Sequence, residues 1–144
     1  MRWDTVILNA IVPTLEADSA LIAELGASNR IWPAEESRPI QYDSIEWLVV
    51  SDVEEEIYNR LVIQFDVRMS RNSTAPALLR AARVERRIRR LLTRPDAVRL
   101  NDIWLNARFQ EARTMPVPER DVAHRQIDIL FEPLRERYTA PSLA

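Results

Sequence analysis

The fold is decided by residues 61–92, which read LVIQFDVRMSRNSTAPALLRAARVERRIRRLL. The first part of this segment alternates apolar with mostly polar side chains, and its apolar set is Leu61, Ile63, Phe65, Val67 and Met69. A period of two places the two sets on opposite faces of a β-strand. The segment therefore predicts a strand that buries one face in the core and exposes most of the other to solvent.

A turn and a helix are predicted to follow this strand. The turn is the polar run RNST at 71–74. Apolar residues then recur at helical spacing, at Ala77, Ala81, Val84, Ile88 and Leu91. A second stripe of the same period consists of arginines, namely Arg80, Arg83, Arg87, Arg90 and Arg94. Since the apolar stripe of such a helix faces the sheet, we expect the arginines to point away from it.

The N-terminal region predicts helical structure followed by an extended segment. Asp4 can cap a helix that Pro13 kinks or breaks. Asp18 can cap a second short piece that ends at Gly26, the only glycine of the chain. The segment RIWP at 30–33 is predicted to be extended, because a proline forces the residue before it out of the helical region. Residues 34–42 are predicted to form a loop.

Three more segments alternate in the same way and predict strands, at 45–50, 103–110 and 122–132. The acidic run at 52–56 predicts a long hairpin loop with an acidic tip. Two prolines at 116 and 118 predict a protruding loop over 113–120, because proline cannot donate to a strand ladder. The resulting order is α-β-β-α-β-β. We predict an α+β fold of two layers, with a mostly antiparallel four-stranded sheet and two helices packed on one face.

Composition limits the class of protein. A chain of 144 residues favours one domain, predicted at 1–139 with a loose C-terminal tail at 140–144. The lack of cysteine and the single histidine, His124, exclude disulfides, cysteine nucleophiles and multi-histidine metal sites. The 20 basic residues, all arginine, face 22 acidic ones, and a net charge of −2 is not typical of a general nucleic-acid binder. No apolar run approaches the roughly 18–20 residues of a membrane span, and no signal peptide is evident, so we expect no membrane contact and synthesis in a cytoplasm.

The sequence shows no pattern typical of catalysis. It has no glycine-rich phosphate loop, no glycine-flanked serine and no pair of histidines at helical spacing. His124 falls in a predicted strand and is interpreted as a half-exposed strand residue rather than a general base. We therefore predict no enzyme activity, no catalytic residue, no cofactor and no metal site.

Two charged clusters have more than one interpretation. The acidic run at 52–56 has the clustered oxygens that hard cations bind, but it lacks the turning glycine of a calcium loop, so a solvated tip is favoured. The arginine stripe is suited to gripping phosphates or an acidic protein surface. It is equally typical of the solvated face of an amphipathic helix.

The order of several short motifs resembles one known family. These motifs are LIAEL at 21–25, RIWP at 30–33, the strand at 61–69, the helix at 76–92 and the closing strand at 122–131. Within them, the isoleucine-aromatic-proline triplet at 31–33 and the strand QFDV at 64–67, leading through a polar turn into an alanine-rich helix, carry most of the similarity. In this order the chain resembles the tail terminator proteins of long-tailed phages, which also serve in phage-like gene transfer particles.

The resemblance implies a structural role at the junction of tail and head in a virion. A terminator forms a ring, a homo-hexamer in this family, that caps the finished tail tube, ends its growth and joins the tail to the head. The implied partners are the tail tube protein on one face, a head-completion or neck protein on the other, and the end of the tape measure protein. DNA only passes through the lumen. Assembly in the host cytoplasm is implied, and no reaction is.

Two alternatives and a set of candidate interface residues accompany this hypothesis. The first alternative is another neck or tail ring protein, such as a head-completion stopper or a tail tube subunit. The second is a nucleic-acid-binding module that uses the arginine helix. Segregated charge and a protruding loop suit contacts between subunits or partners. The candidate interface residues are Asp52, Glu54, Glu55, Glu56, Arg80, Arg83, Arg87, Arg90, Arg94, Met115, Pro116, Val117 and Pro118.

Overall fold

The computed structural model describes residues 7–55, 58–93, 98–100 and 103–133, and these form an α+β fold with one sheet. Its strands are β1 (Ile31–Pro33), β2 (Ser44–Glu55), β3 (Tyr58–Ser70), β4 (Val98–Leu100), β5 (Ile103–Met115) and β6 (Val122–Pro133). They lie in the order β1-β2-β3-β6-β5-β4. All neighbours pair antiparallel except β1, which runs parallel to β2.

The predicted four-stranded sheet is wrong in its strand number, because the described residues form six strands. The four long strands were all predicted, and they pair as two hairpins that meet at β3 and β6. The additional β1 and β4 have three residues each and lie at the two edges of the sheet. Strands this short contain too few residues for an alternating pattern to show in the sequence.

The helices are α1 (Val12–Glu16), preceded by a π-helical turn at Ile7–Ile11, then α2 (Ser19–Leu25) and α3 (Ala77–Leu92). The predicted number of two is therefore also wrong for the described residues, since α1 and α2 are separate elements. Asp18 caps α2 by accepting a hydrogen bond from the Leu21 backbone N–H at 2.9 Å, as predicted. Gly26 ends α2 at φ 93°, the left-handed region expected of that glycine. The predicted cap at Asp4 lies outside the described residues.

One face of the sheet packs against α3 and the N-terminal helices. The strand prediction is confirmed at β3, where all five apolar alternating residues are buried: Leu61, Ile63, Phe65, Val67 and Met69. The prediction for α3 is confirmed at four positions, and the last core residue is Leu92 rather than the half-buried Leu91. A single continuous core therefore lies between this face and the helices.

Both predicted hairpin loops are shorter in the structure. Asp52 to Glu55 belong to β2 and pair with Leu61 to Tyr58, so the predicted long acidic loop is wrong. Similarly, Thr114 and Met115 belong to β5 and pair with Arg125 and His124. The second connection is thus confined to residues 116–121. The predicted tail at 140–144 lies outside the described residues, and the domain boundary at 139 stays a prediction.

Candidate functional surfaces

The acidic segment forms the end of a projecting β-ribbon. Glu54 pairs with Asn59 and Glu55 with Tyr58, beyond the point where β3 leaves β6 at the pair Leu61–Phe131. In the described residues, this part of β2 and β3 has backbone partners only in each other. Glu56 lies outside the described residues.

Arg80 lies inside the molecule, where it joins three elements. Only 4% of the residue is exposed. Its guanidinium donates to the Asp43 carboxylate at 3.0 Å, to the Ser70 carbonyl at 2.8 Å and to the Glu24 carbonyl at 2.6 Å. The expectation that the whole arginine stripe points away from the sheet is therefore wrong for Arg80. Its partners lie at the end of α2, immediately before β2 and at the end of β3.

Arg87 and Arg83 also contact the N-terminal helices. Arg87 binds the Asp18 carboxylate with two hydrogen bonds, of 2.7 and 2.6 Å. These bonds, with the backbone bond from Leu21, outweigh the effect of burial and hold the pKa of Asp18 below its ordinary value. Arg83 is exposed, and its guanidinium lies 3.8 Å from the Glu24 carboxylate. This side of α3 is therefore fastened to α2 by ion pairs within one chain.

The remaining arginines of the stripe differ from these three. Arg90 is exposed and has no ion-pair or hydrogen-bond partner in the described part of the chain. Arg94 lies outside the described residues. The stripe that the periodicity predicted as one surface is thus divided between an internal clamp and a solvated end.

The opposite side of α3 borders a groove that sequence reasoning missed. The groove has a volume of about 470 Å³ and lies between α3 and the ends of β5 and β6. Arg86 and Arg89 line it from the helix, and Arg125 lines it from β6. Leu78, 56% exposed, adds an apolar contact surface. The sequence does not reveal this group of arginines, because Arg125 reaches Arg86 and Arg89 only through the packing of β6 beside α3.

Two of the arginines of this groove, Arg89 and Arg125, are held by one buried carboxylate and one ring. Glu85 is 9% exposed and lies 3.6 Å from Arg89, and it also accepts a hydrogen bond from Arg125. The guanidinium of Arg89 stacks 3.8 Å from the centre of the Phe109 ring. Arg125 reaches Thr114 across the strand pair at 2.9 Å. The groove therefore has a preformed cationic surface.

The sheet face without helices carries a polar network. His124 contacts the Asp66 carboxylate at 2.7 Å through its Nε2 atom, and Gln64 donates to the same carboxylate at 3.1 Å. Burial of Asp66 opposes its ionisation, but the hydrogen bonds from His124, Gln64 and Gln126 outweigh this and hold the pKa of Asp66 below its ordinary value. The alternation of β3 already placed Asp66 on this face, but its burial was missed.

Arg113 extends this network across the strands. It donates to Gln126 at 2.9 Å, to Gln64 at 3.3 Å and to Asp128 at 3.4 Å. The second carboxylate oxygen of Asp128 is buried and has no hydrogen-bond partner among the described residues. In that part of the chain no hydroxyl is hydrogen-bonded to His124. The network therefore orders this face of the sheet, and among the described residues it lacks the nucleophile of a Ser-His arrangement.

The proline-bearing loop is anchored at its base. Met115 ends β5 opposite His124, and Pro116 and Pro118 are exposed in the connection beyond it. Val117 between them is half-buried. The Arg71 backbone N–H donates to the carbonyl of Asp121 at 2.7 Å. The protruding part of the predicted arm is thus residues 116–120.

The described residues provide neither a metal-binding cluster nor a membrane-spanning helix. They contain no group of three or more His, Cys, Asp or Glu side chains placed to hold a metal ion. None of their helices is long and apolar enough to cross a membrane.

Comparison with known proteins finds similarity at the level of the fold. No protein-family profile matches the chain, and no curated protein sequence matches it. One chain in a solved structure of the virion of a native gene transfer agent particle has a similar fold, with a TM-score of 0.60. The alignment covers 86% of this chain and 91% of that chain at 18% sequence identity. At this identity the similarity shows that the α+β fold is shared with a component of that virion.

Proposed function

We propose that this protein is a structural subunit of a virion or a virion-like particle. The observation that carries this proposal is the fold shared with a gene transfer agent virion component, which extends over most of both chains. A match that covers 91% of the neighbour favours an equivalent whole subunit over a common supersecondary motif. The proposal assigns no reaction to the protein.

Within this class we infer that the protein is a tail terminator. Support comes from the motif order at 21–25, 30–33, 61–69, 76–92 and 122–131, which resembles that family. The inferred assembly is a ring of six copies at the junction of tail and head. Its partners are the tail tube protein on one face and a head-completion or neck protein on the other, with the end of the tape measure protein nearby and DNA passing through the lumen.

Tail length after loss of the gene tests this role. If the protein caps the finished tube, a producing strain without the gene has nothing to stop addition of tube subunits. We expect tails of excessive and variable length, without heads, in negative-stain images of the lysate. Expression of the wild-type chain from a plasmid is the control and restores uniform tails attached to heads.

The same images distinguish the alternatives. A head-completion stopper predicts tails of normal length lying free beside full heads, and a tail tube subunit predicts no tails. If particles made without the gene look normal and still infect cells or transfer genes, a structural role is contradicted. The nucleic-acid alternative predicts a gel shift on generic duplex DNA that weakens steeply with salt.

A further inference from the structure

The projecting ribbon has no third strand beside it among the described residues, and it exposes apolar side chains at its base. In the described residues, its backbone pairs with no third strand beyond Leu61, because the pairing of β3 with β6 ends at Leu61–Phe131. A two-stranded ribbon is marginally stable in water without a third strand or a packed face. At its root, Val50 is 53% exposed and Leu48 is 42% exposed. Asp52, Glu54 and Glu55 make its end strongly acidic.

The groove beside α3 complements the ribbon, because it combines positive charge with an apolar wall. Among the described residues that line it, the three arginines Arg86, Arg89 and Arg125 face a single carboxylate, Glu85, which leaves an excess of positive charge. Leu78 and Ala82 provide the apolar surface at its helical wall. Guanidinium groups that are already held by Glu85 and Phe109 lose little freedom when they bind a carboxylate, so the groove suits an acidic segment with apolar flanks.

The two surfaces cannot meet within one subunit. Arg125 of the groove pairs with Val67 of β3, whereas Glu54 of the ribbon pairs with Asn59 of the same strand. At about 3.3 Å per residue, this separation along β3 is roughly 26 Å. The ribbon also lies on the β2 side of β3 and the groove on the β6 side. Any contact between them must therefore join different copies.

We propose that the acidic ribbon of one copy binds in the cationic groove between α3 and β5 of the next copy. The contact uses two different surfaces at opposite ends of the sheet, so it is heterologous, and repetition of it closes a ring when the rotation allows. The proposal rests on the proposed ring-forming function and names its subunit interface. Two of the candidate interface residues, Arg80 and Arg87, are bound within the chain. The proposed contact therefore uses Arg86, Arg89 and Arg125 in their place.

Cysteine cross-linking tests this contact directly, because the natural chain has no cysteine. The test variant carries Glu54→Cys in the ribbon and Ala82→Cys in the groove. Since a disulfide requires Cα atoms within about 4.4–6.8 Å, the two cysteines cannot join inside one chain. Oxidation of the purified variant, alone and with tail tubes, is expected to convert monomer into a ladder of covalent oligomers on a denaturing gel.

The matched control moves the helical cysteine by one residue. Glu54→Cys with Arg83→Cys places it on the side of α3 that faces Glu24, outside the groove, and no ladder is expected. An equal mixture of the single variants Glu54→Cys and Ala82→Cys is expected to stop at dimers of the two chains. A ladder with the Arg83 control, or no ladder with the test variant in either setting, overturns the proposal.

A charge exchange provides the second measurement. One variant reverses the groove with Arg86→Glu and Arg89→Glu, and another reverses the ribbon with Glu54→Arg and Glu55→Arg. Each variant alone is expected to sediment as unassembled subunits. An equal mixture of the two is expected to sediment as assemblies again, because alternating copies restore opposite charges at every contact of an even-numbered ring. Arg83→Glu with Arg90→Glu is the control for net charge.

These results separate the interface from the proposed function. If the strain without the gene makes over-long tails but the cysteine variant does not cross-link, the tail terminator function stands and this interface is rejected. If the variant forms cross-linked rings but loss of the gene leaves the tails unchanged, the interface stands and the tail terminator function is rejected. Cross-linking of Ala82→Cys to a different virion protein instead of Glu54→Cys would overturn the assignment of a second copy as the occupant.

Discussion

At the scale of single residues, Arg80 shows how a charged residue in a helical stripe becomes part of the interior. It lies near the start of α3, where the end of α2, the residue before β2 and the end of β3 converge on it. Three elements thus share one guanidinium, which has enough donors for all of them. Its role is to join the N-terminal helices to the sheet.

Removal of Arg80 is expected to destabilise the fold strongly. Arg80→Ala removes the donor to the Asp43 Oδ2 atom and to the Glu24 and Ser70 carbonyls, and leaves Asp43 with only its hydrogen bonds from Ser70. Breaking a buried ion pair in this way costs about 3–5 kcal/mol, and we expect a value near the lower end, because Asp43 and Glu24 keep partial access to water. Urea unfolding measures the loss.

Arg83→Ala is the matched control for this prediction. Arg83 lies on the same helix and makes one long contact with Glu24, with 44% of its side chain exposed. The expected loss in free energy of unfolding is below about 1 kcal/mol. Equal losses for Arg80→Ala and Arg83→Ala would contradict the clamp.

The ionisation of Asp18 makes the free energy of unfolding depend on pH in the acidic range. The pKa of Asp18 is lower in the folded protein than its ordinary value of 3.8, chiefly because of its hydrogen bonds with Arg87. Its contribution is therefore present above pH 3.8 and is lost as the pH falls through the lowered pKa. Asp18→Asn keeps a residue that caps helices but removes the charge.

We expect Asp18→Asn to be less stable than wild type at neutral pH, with the difference shrinking as the pH falls below about 4. Chemical unfolding over a pH series measures it. Arg87→Gln should show the same convergence, and the double variant should lose little more than either single one, since both remove one interaction. A difference that grows toward low pH would contradict this assignment.

At the scale of elements, the two hairpins show why acidic and proline-containing segments were predicted as loops. Acidic residues are uncommon in strands, so the run at 52–56 resembled a connection. In the structure the antiparallel partner from Tyr58 to Leu61 extends the ladder through Glu55. Pairing with a neighbouring strand overcomes a weak local preference, and a local pattern cannot indicate where that pairing stops.

Deletion of Pro116–Pro118 tests the loop between β5 and β6 as an arm. It leaves residues 119–121 as a three-residue connection, in which Asp121 already has the left-handed φ of 63° that such hairpins use. The prolines reduce the entropy lost when an exposed loop is ordered against a partner. We expect normal folding by circular dichroism and weaker assembly by sedimentation.

Met115 is retained in this deletion because it pairs with His124 inside the sheet. The double variant Pro116→Ala with Pro118→Ala is the control, and it should show a smaller defect because it keeps the length of the arm and loses only its stiffness. Unchanged assembly of the deletion variant would remove the loop from the interface.

At the scale of the whole molecule, the sheet separates four regions, its two faces and its two ends. One face packs on the helices, the other carries the ordered polar network around Asp66, and the two ends present the acidic ribbon and the cationic groove. Opposite charge at opposite ends favours repeated head-to-tail contacts over a symmetric pair. This arrangement depends on strand order and is invisible in any single segment.

The sequence by itself determined the long elements of the fold and most of their buried side chains. Alternation identified the four long strands, helical spacing identified the core side of α3, and Asp18 and Gly26 marked the limits of α2. These features follow from local geometry, because a period of two or of 3.6 residues decides which side chains share a face.

Only the tertiary structure decided the pairing of the edge strands with the sheet, the burial of Arg80 and Asp66, and the groove beside α3. Each depends on residues far apart in the chain: Arg80 on Glu24 and Asp43, Asp66 on His124, and the groove on Arg125 lying beside α3. Burial of a charge is possible where several donors or acceptors converge, and this convergence arises from packing. For that reason the helical period separated apolar from charged residues correctly but did not divide the arginines between the interior and the surface.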